Sequence, residues 1–160
     1  MSTDKTIVHV TVSRNFSRFV SKDWLMTIGK KVLQSAGIDI PAEVGLVITG
    51  DRTIRRLNRQ YRGKDESTDV LSFPMSGVED SEGVHFVSPP DGVCHLGEVI
   101  ICYPQVVRQC EIHGHSITDE LEVLIVHGIL HLLGYDHETP RERARMRRKE
   151  KEILTKLRHF

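Results

Sequence analysis

Apolar residues along this chain switch between a period of two and a period near three and a half, and the switches mark its elements. Residues 6–12 (TIVHVTV) alternate β-branched and other positions, which predicts a strand. Ser21 stands where an N-cap belongs, ahead of a helix with Trp24, Leu25, Ile28, Val32 and Leu33 on one face that runs out at Gly37. Beyond the break at Pro41, residues 44–49 (VGLVIT) predict a second strand. Asp51 can cap the next helix, in which Ile54, Leu57 and Tyr61 recur three and four residues apart before Gly63 closes it.

Residues 68–74 predict a short strand stopped by Pro74. Residues 76–95 are rich in Gly, Ser, Pro and Asp and predict a long loop or irregular hairpin, mobile at its tip. Residues 96–102 (LGEVIIC) predict a buried strand, and Pro104 opens a helix to about His113. A further helix starts near Ser116 or Thr118, with Asp119 and Glu120 in the first turn, where the helix dipole favours acids. It is apolar nearly all round, from Leu121 to Leu133, so it belongs at the centre of the fold. Thr139, Pro140 and Glu142 have the form of a capping box opening a C-terminal helix. With no repeat or linker visible, the expected architecture is one α+β domain over residues 1–160. It has a small, mostly four-stranded sheet packed with about five helices.

Composition narrows the class without naming a chemistry. A hydrophobic share of 39% with 28% charged residues suits a soluble globular domain. Lys and Arg (22) balance Asp and Glu (22), so any anionic partner must be met by a local patch rather than by net charge. Cys94, Cys102 and Cys110 form no CxxC pair, which favours reduced thiols in a cytoplasmic protein. No apolar run reaches the ~20 residues of a membrane helix, and no secretory leader pattern is visible, so no membrane partner is expected.

The chemistry concentrates at the end of the central helix. His127 and His131 lie one turn apart on one face, and Gly134 can end the helix so that His137 folds back to meet them. Three imidazoles with a fourth position open are the ligand set of a catalytic zinc site. The pattern is close to the zinc-protease HExxH motif with a later histidine, but residue 128 is glycine, so the usual general base is missing. Asp136 is either a neighbour of the ligands able to accept a proton or a plain turn residue. A structural zinc closed by a cysteine is the competing reading of the histidines.

Three blocks, HGILHLLGYDHE (127–138), NRQYRGKDESTDVLSFP (58–74) and LGEVIIC (96–102), resemble in order and spacing the YbeY family of single-strand-specific endoribonucleases, also called rRNA maturation factors. The resemblance implies that His127, His131 and His137 bind one Zn2+ per chain and that Arg62 is the catalytic arginine. It also implies a role in rRNA processing, notably at the 16S 3′ end, and in ribosome quality control, with rRNA and the small subunit or assembly factors as partners. Arg52, Arg55, Arg56 and Arg59 can share a helix face, so Arg55, Arg59 and Lys64 are candidate RNA contacts. The C-terminal basic run, interspersed with Glu142, Glu150 and Glu152, reads as a solvated face. The rival readings are a zinc hydrolase of another substrate and a non-catalytic, zinc-stabilised assembly factor.

Overall fold

The computed structural model describes residues 6–75, 77–80, 83–86 and 92–158. Its centre is a four-stranded sheet built from β1 (Thr6–Val12), β2 (Ala42–Thr49), β6 (Cys94–Cys102) and β3 (Val70–Pro74), in that spatial order. β1, β2 and β6 are parallel, and β3 runs antiparallel along the outer side of β6. The first parallel pair is joined by α1 (Lys22–Ser35), the crossover helix that parallel neighbours require. α2 (Asp51–Arg62), α3 (Tyr103–His113), α4 (Ile117–Leu132) and α5 (Pro140–Leu157) complete an α+β fold.

Alternation along β6 shows how the layers form. Val99 and Ile101 point into the main core with α1 and α4, whereas Ile100 and Cys102 point to the opposite face, where Ile54 of α2 covers them. A strand buried on both faces loses the polar alternation of a surface strand, and VIIC reads accordingly. β6 also carries a bulge: Glu43 pairs with His95 but Val44 pairs with Gly97. Gly97 sits at φ 126°, and a Cβ there would lie 2.1 Å from the carbonyl oxygen of Phe73, so only glycine lets β3 come this close.

α4 is held in the interior as its composition demands. Ile125, Ile129, Leu130 and Leu132 are fully buried, each such side chain contributing ~1.5–3 kcal/mol through removal from water. The helix packs on β3 and β6 on one side and on α1, α3 and α5 around the rest. Ser72 Oγ donates to the Gly128 carbonyl at 3.0 Å, pinning the edge strand to the middle of the helix.

Most predicted punctuation is in place. Ser21 Oγ accepts from the Trp24 amide, Ser116 Oγ from Asp119 and Thr139 Oγ1 from Glu142. One expectation is corrected: Gly50, not Asp51, is the N-cap of α2. The Asp51 carboxylate instead accepts from Arg108 Nη2 at 2.6 Å and from Ser67 Oγ at 2.7 Å, joining α2 to α3 and to the loop before β3. β6 begins two residues earlier than the pattern suggested, at Cys94. The expected irregular hairpin contains a short antiparallel ladder of β4 (Gly77–Asp80) and β5 (Gly83–Phe86); its tip, residues 81–82, lies outside the described residues. Cys94, Cys102 and Cys110 are buried, and burial pushes the Cys102 thiol up to about 11.

Candidate metal centre

α4 delivers two of the three histidines and its terminus delivers the third. Gly134 takes φ 97° and its amide donates to the His131 carbonyl at 3.1 Å, while the Tyr135 amide donates to Leu130 at 3.0 Å. This is the Schellman closure that a glycine one residue past the C-cap makes cheap. The chain then turns back, and the Asp136 carboxylate accepts from the His137 amide at 2.7 Å. Asp136 is thus a turn residue, and it also lines the cleft over the histidines. α5 holds the same loop from outside: Arg143 Nη1 donates to the carbonyls of His137 and Glu138, and the Arg145 guanidinium lies 5.1 Å over the Tyr135 ring. Part of the C-terminal basic run therefore secures the third histidine.

The three imidazoles converge. One ring nitrogen from each of His127, His131 and His137 lies within 4.8 Å of the others, and His131 Nε2 stands 3.1 Å from His127 Nε2. Nitrogens bound at ~2.0–2.1 Å to one tetrahedral ion stand about 3.3 Å apart, so the spacing fits a shared metal. Burial first, then the two neighbouring imidazoles, pushes His131 down to about 4, so its ring stays neutral and able to ligate. No cysteine joins the group among the described residues, which removes the cysteine-closed structural site.

Glu150 of α5 was not anticipated as part of the site. Its Oε1 lies 2.8 Å from His127 Nδ1. Accepting from Nδ1–H leaves the His127 Nε2 lone pair turned toward the other two rings. The signal was present in the helix pattern: Met146, Glu150 and Ile153 recur at four and three residues, and Met146 and Ile153 are the buried face of α5. An acid on an apolar stripe needs a partner inside.

Gly128 has a structural reason besides the missing base. A Cβ at this position would lie 2.5 Å from Val99 Cγ1, so α4 can rest on β6 only because residue 128 has no side chain. The position faces the sheet, and a glutamate there would first have to displace β6.

The histidines line a cleft of about 660 Å3 together with β3, with Tyr61 and Arg62 at the end of α2, and with Thr68 and Asp69 just before β3. Arg62, the last residue of α2, thus shares the cleft with the three rings. Tyr61 is 61% exposed, its ring edge-on to Phe73 with centroids 5.2 Å apart. Sequence reasoning had treated Tyr61 only as an apolar helix position. Buried Asn58 holds the loop after α2 by donating from Nδ2 to the Glu66 carbonyl at 2.9 Å. Arg55 and Arg59 line a separate groove with Arg52, Arg56 and Asp65, where Arg55 Nε lies 2.9 Å from the Asp65 carboxylate and holds it below its ordinary value. Lys64 is exposed and lines neither depression.

Known proteins resemble the whole of this architecture. The family model described as Endoribonuclease YbeY matches residues 8–158. A protein of Dehalococcoides mccartyi named Endoribonuclease YbeY is 44% identical over 144 residues, 88% of this chain and 89% of that protein. One of the same name from Roseiflexus sp. is 42% identical over 158 residues, covering 98% and 96% of the two chains. The solution structure of TM1509 from Thermotoga maritima shares the fold with a TM-score of 0.58 at 23% identity, over 96% of this chain and 93% of that one.

Proposed function

This chain belongs to the YbeY endoribonuclease family, and on that premise we propose that it acts as one domain and is a zinc-dependent endoribonuclease that hydrolyses single-stranded RNA in the cleft between α4 and β3. The observation that carries the reading is the placement of Arg62 and the His127–His131–His137 cluster in one cleft. A zinc ion on the three imidazoles would supply a Lewis acid that acidifies water at neutral pH. The remaining work falls to the chain's own groups. Arg62 is the catalytic arginine: its planar fork holds two non-bridging phosphate oxygens at once and opposes the charge that grows on them as the phosphodiester is attacked. Asp136, beside the ligands, has one carboxylate oxygen committed to the His137 amide, and the other is the candidate proton acceptor in place of the absent glutamate.

Selection of single strands follows from the same cleft. Tyr61 offers an exposed ring next to Arg62, and a base stacks on it only once it has left its own helix. Arg55 and Arg59, in their groove on the same helix, and Lys64 just past its end, add phosphate contacts whose strength falls with salt. The substrate class is rRNA, with maturation at the 16S 3′ end and ribosome quality control in the cytoplasm as the role, and the small subunit or its assembly factors as partners.

The deciding experiment compares cleavage of one RNA sequence as a single strand and as a duplex, with and without a chelator. Cleavage of the single strand only, lost on chelation and restored by Zn2+, is the expected result. Equal cleavage of the duplex, or indifference to the chelator, sinks the reading.

A further inference from the structure

A second cluster lies where α3 hands over to α4. α3 ends at His113, Gly114 follows at φ 70°, and the amides of Gly114 and His115 both donate to the Cys110 carbonyl, so the chain reverses within three residues. That reversal sets His113 and His115 on either side of the glycine and turns both Nδ1 atoms toward one oxygen, Glu120 Oε2, in the first turn of α4. The separations are 3.6 Å from His113 and 3.3 Å from His115. The Glu120 side chain is only 5% exposed, while the two imidazoles are about half exposed. The three ligand atoms all lie within 4.8 Å of one another.

We propose that His113, His115 and Glu120 bind a second divalent transition-metal ion, of the Zn2+, Co2+ or Ni2+ class, separate from the cleft. Two features of the cluster favour an ion over a plain hydrogen-bonded trio. Charge-assisted N–H···O bonds to a carboxylate run ~2.7–2.9 Å, shorter than either contact here. Two ligand atoms on one tetrahedral ion stand about 3.3 Å apart, close to the 3.3 and 3.6 Å between the imidazole nitrogens and Glu120. The second feature is charge. A carboxylate this buried needs a compensating cation, imidazole supplies one only when protonated, and a divalent ion supplies it at neutral pH. Two imidazole nitrogens and one carboxylate oxygen are a borderline donor set suited to these metals, with water completing the coordination on the exposed side.

The ion fastens the end of α3 to the start of α4, two turns (~10.5 Å) before His127. The expected metal content of the chain then rises from one ion to two. The cluster owes nothing to the cleft, so it stands or falls independently of the nuclease reading.

The test is titration of chelator-treated protein with ZnCl2, followed by calorimetry and by metal analysis after desalting. Wild type is expected to take up two equivalents. The variant H113A/H115A should take up one and H137A should keep the other. In the H137A background, added ZnCl2 should raise Tm, and H113A/H115A/H137A should lose that rise. The single variant H113A separates an ion from a hydrogen bond, because it leaves the His115–Glu120 contact in place. In chelator its Tm should equal that of wild type, yet the second equivalent should be lost or weakened at least tenfold. One equivalent in wild type that H113A/H115A retains, or unchanged stoichiometry and affinity in H113A, overturns the proposal.

Discussion

Glu150 Oε1 and His127 Nδ1 stand 2.8 Å apart, and this contact ties α5 to the first histidine of the three-histidine cluster on α4. The carboxylate fixes the tautomer and the ring plane of His127. Replacing it with the neutral isostere, E150Q, should lower zinc affinity at the three-histidine cluster by ~10–100-fold while leaving the fold intact. Competition against a chromophoric chelator measures the affinity, and circular dichroism checks the fold. An affinity within twofold of wild type would reduce Glu150 to a surface acid.

Arg62 is predicted to act in turnover and not in metal binding. It lines the same cleft as the rings from the C-terminal end of α2. R62A should reduce single-turnover cleavage of single-stranded RNA by ~10²–10³-fold, as loss of a charge-stabilising donor does elsewhere. R62K should recover only part of this, because an ammonium keeps the charge but not the two-pronged grip. Zinc content should stay at the wild-type value in both. A non-catalytic assembly factor would show no cleavage to lose, and a merely solvated Arg62 would leave the rate unchanged.

What the chain discloses before folding is uneven, for a physical reason. Ser21, Ser116, Thr139 and Gly63 act within a turn of their own positions, so their local pattern sufficed. His127, His131 and His137 were legible because helix periodicity and one glycine bring them together within eleven residues. Glu150 and Tyr61 were not, because their roles depend on which neighbour α5 and β3 present across a packing interface. Asp51 shows the same limit: a local rule made it a cap, but a long-range arginine on α3 won the carboxylate. The chemistry of Arg62 came from resemblance, since a charge at a helix end looks the same whether or not a cleft opens beside it.

Gly128 and Val99 form a packing pair that mutation can expose. Adding one methyl group in G128A places a carbon 2.5 Å from Val99 Cγ1 and 3.0 Å from Val99 Cγ2, so the Val99 side chain or its strand must shift. The cost should be ~1–3 kcal/mol, as for other overpacked cores. V99A alone should also destabilise, by leaving a cavity beside the glycine. The double variant G128A/V99A should be more stable than the sum of the two single losses, because the new methyl group occupies the vacated space. Denaturant unfolding of all four proteins gives the coupling, and strict additivity would mean that α4 is not seated on Val99.

The Asp51 cluster sets the last prediction, a dependence on pH. Hydrogen bonding from Arg108 first, and then from Ser67 and Cys102, holds the Asp51 carboxyl below its ordinary value of 3.8 despite the opposing effect of burial. A carboxyl depressed in the folded state binds fewer protons than in the unfolded chain, so its contribution is fully present above 3.8 and is lost as pH falls through the lower folded value. The side chains of Asp51 and Arg108 are 42% and 50% exposed, and solvent screening keeps the ion pair below ~1 kcal/mol. D51N should therefore melt a few degrees below wild type at pH 7, about 2–4 °C for each kcal/mol lost in a chain of this size. The gap should begin to narrow as the pH falls below 3.8, where the unfolded chain takes up the proton, and should close only below the still lower folded value, where the wild-type carboxyl is protonated as well. Melting curves of the two proteins between pH 7 and pH 3 provide the measurement. A gap that stays constant over that range would show that Asp51 serves through its shape and neutral hydrogen bonds, and that its charge does not hold α2 to α3.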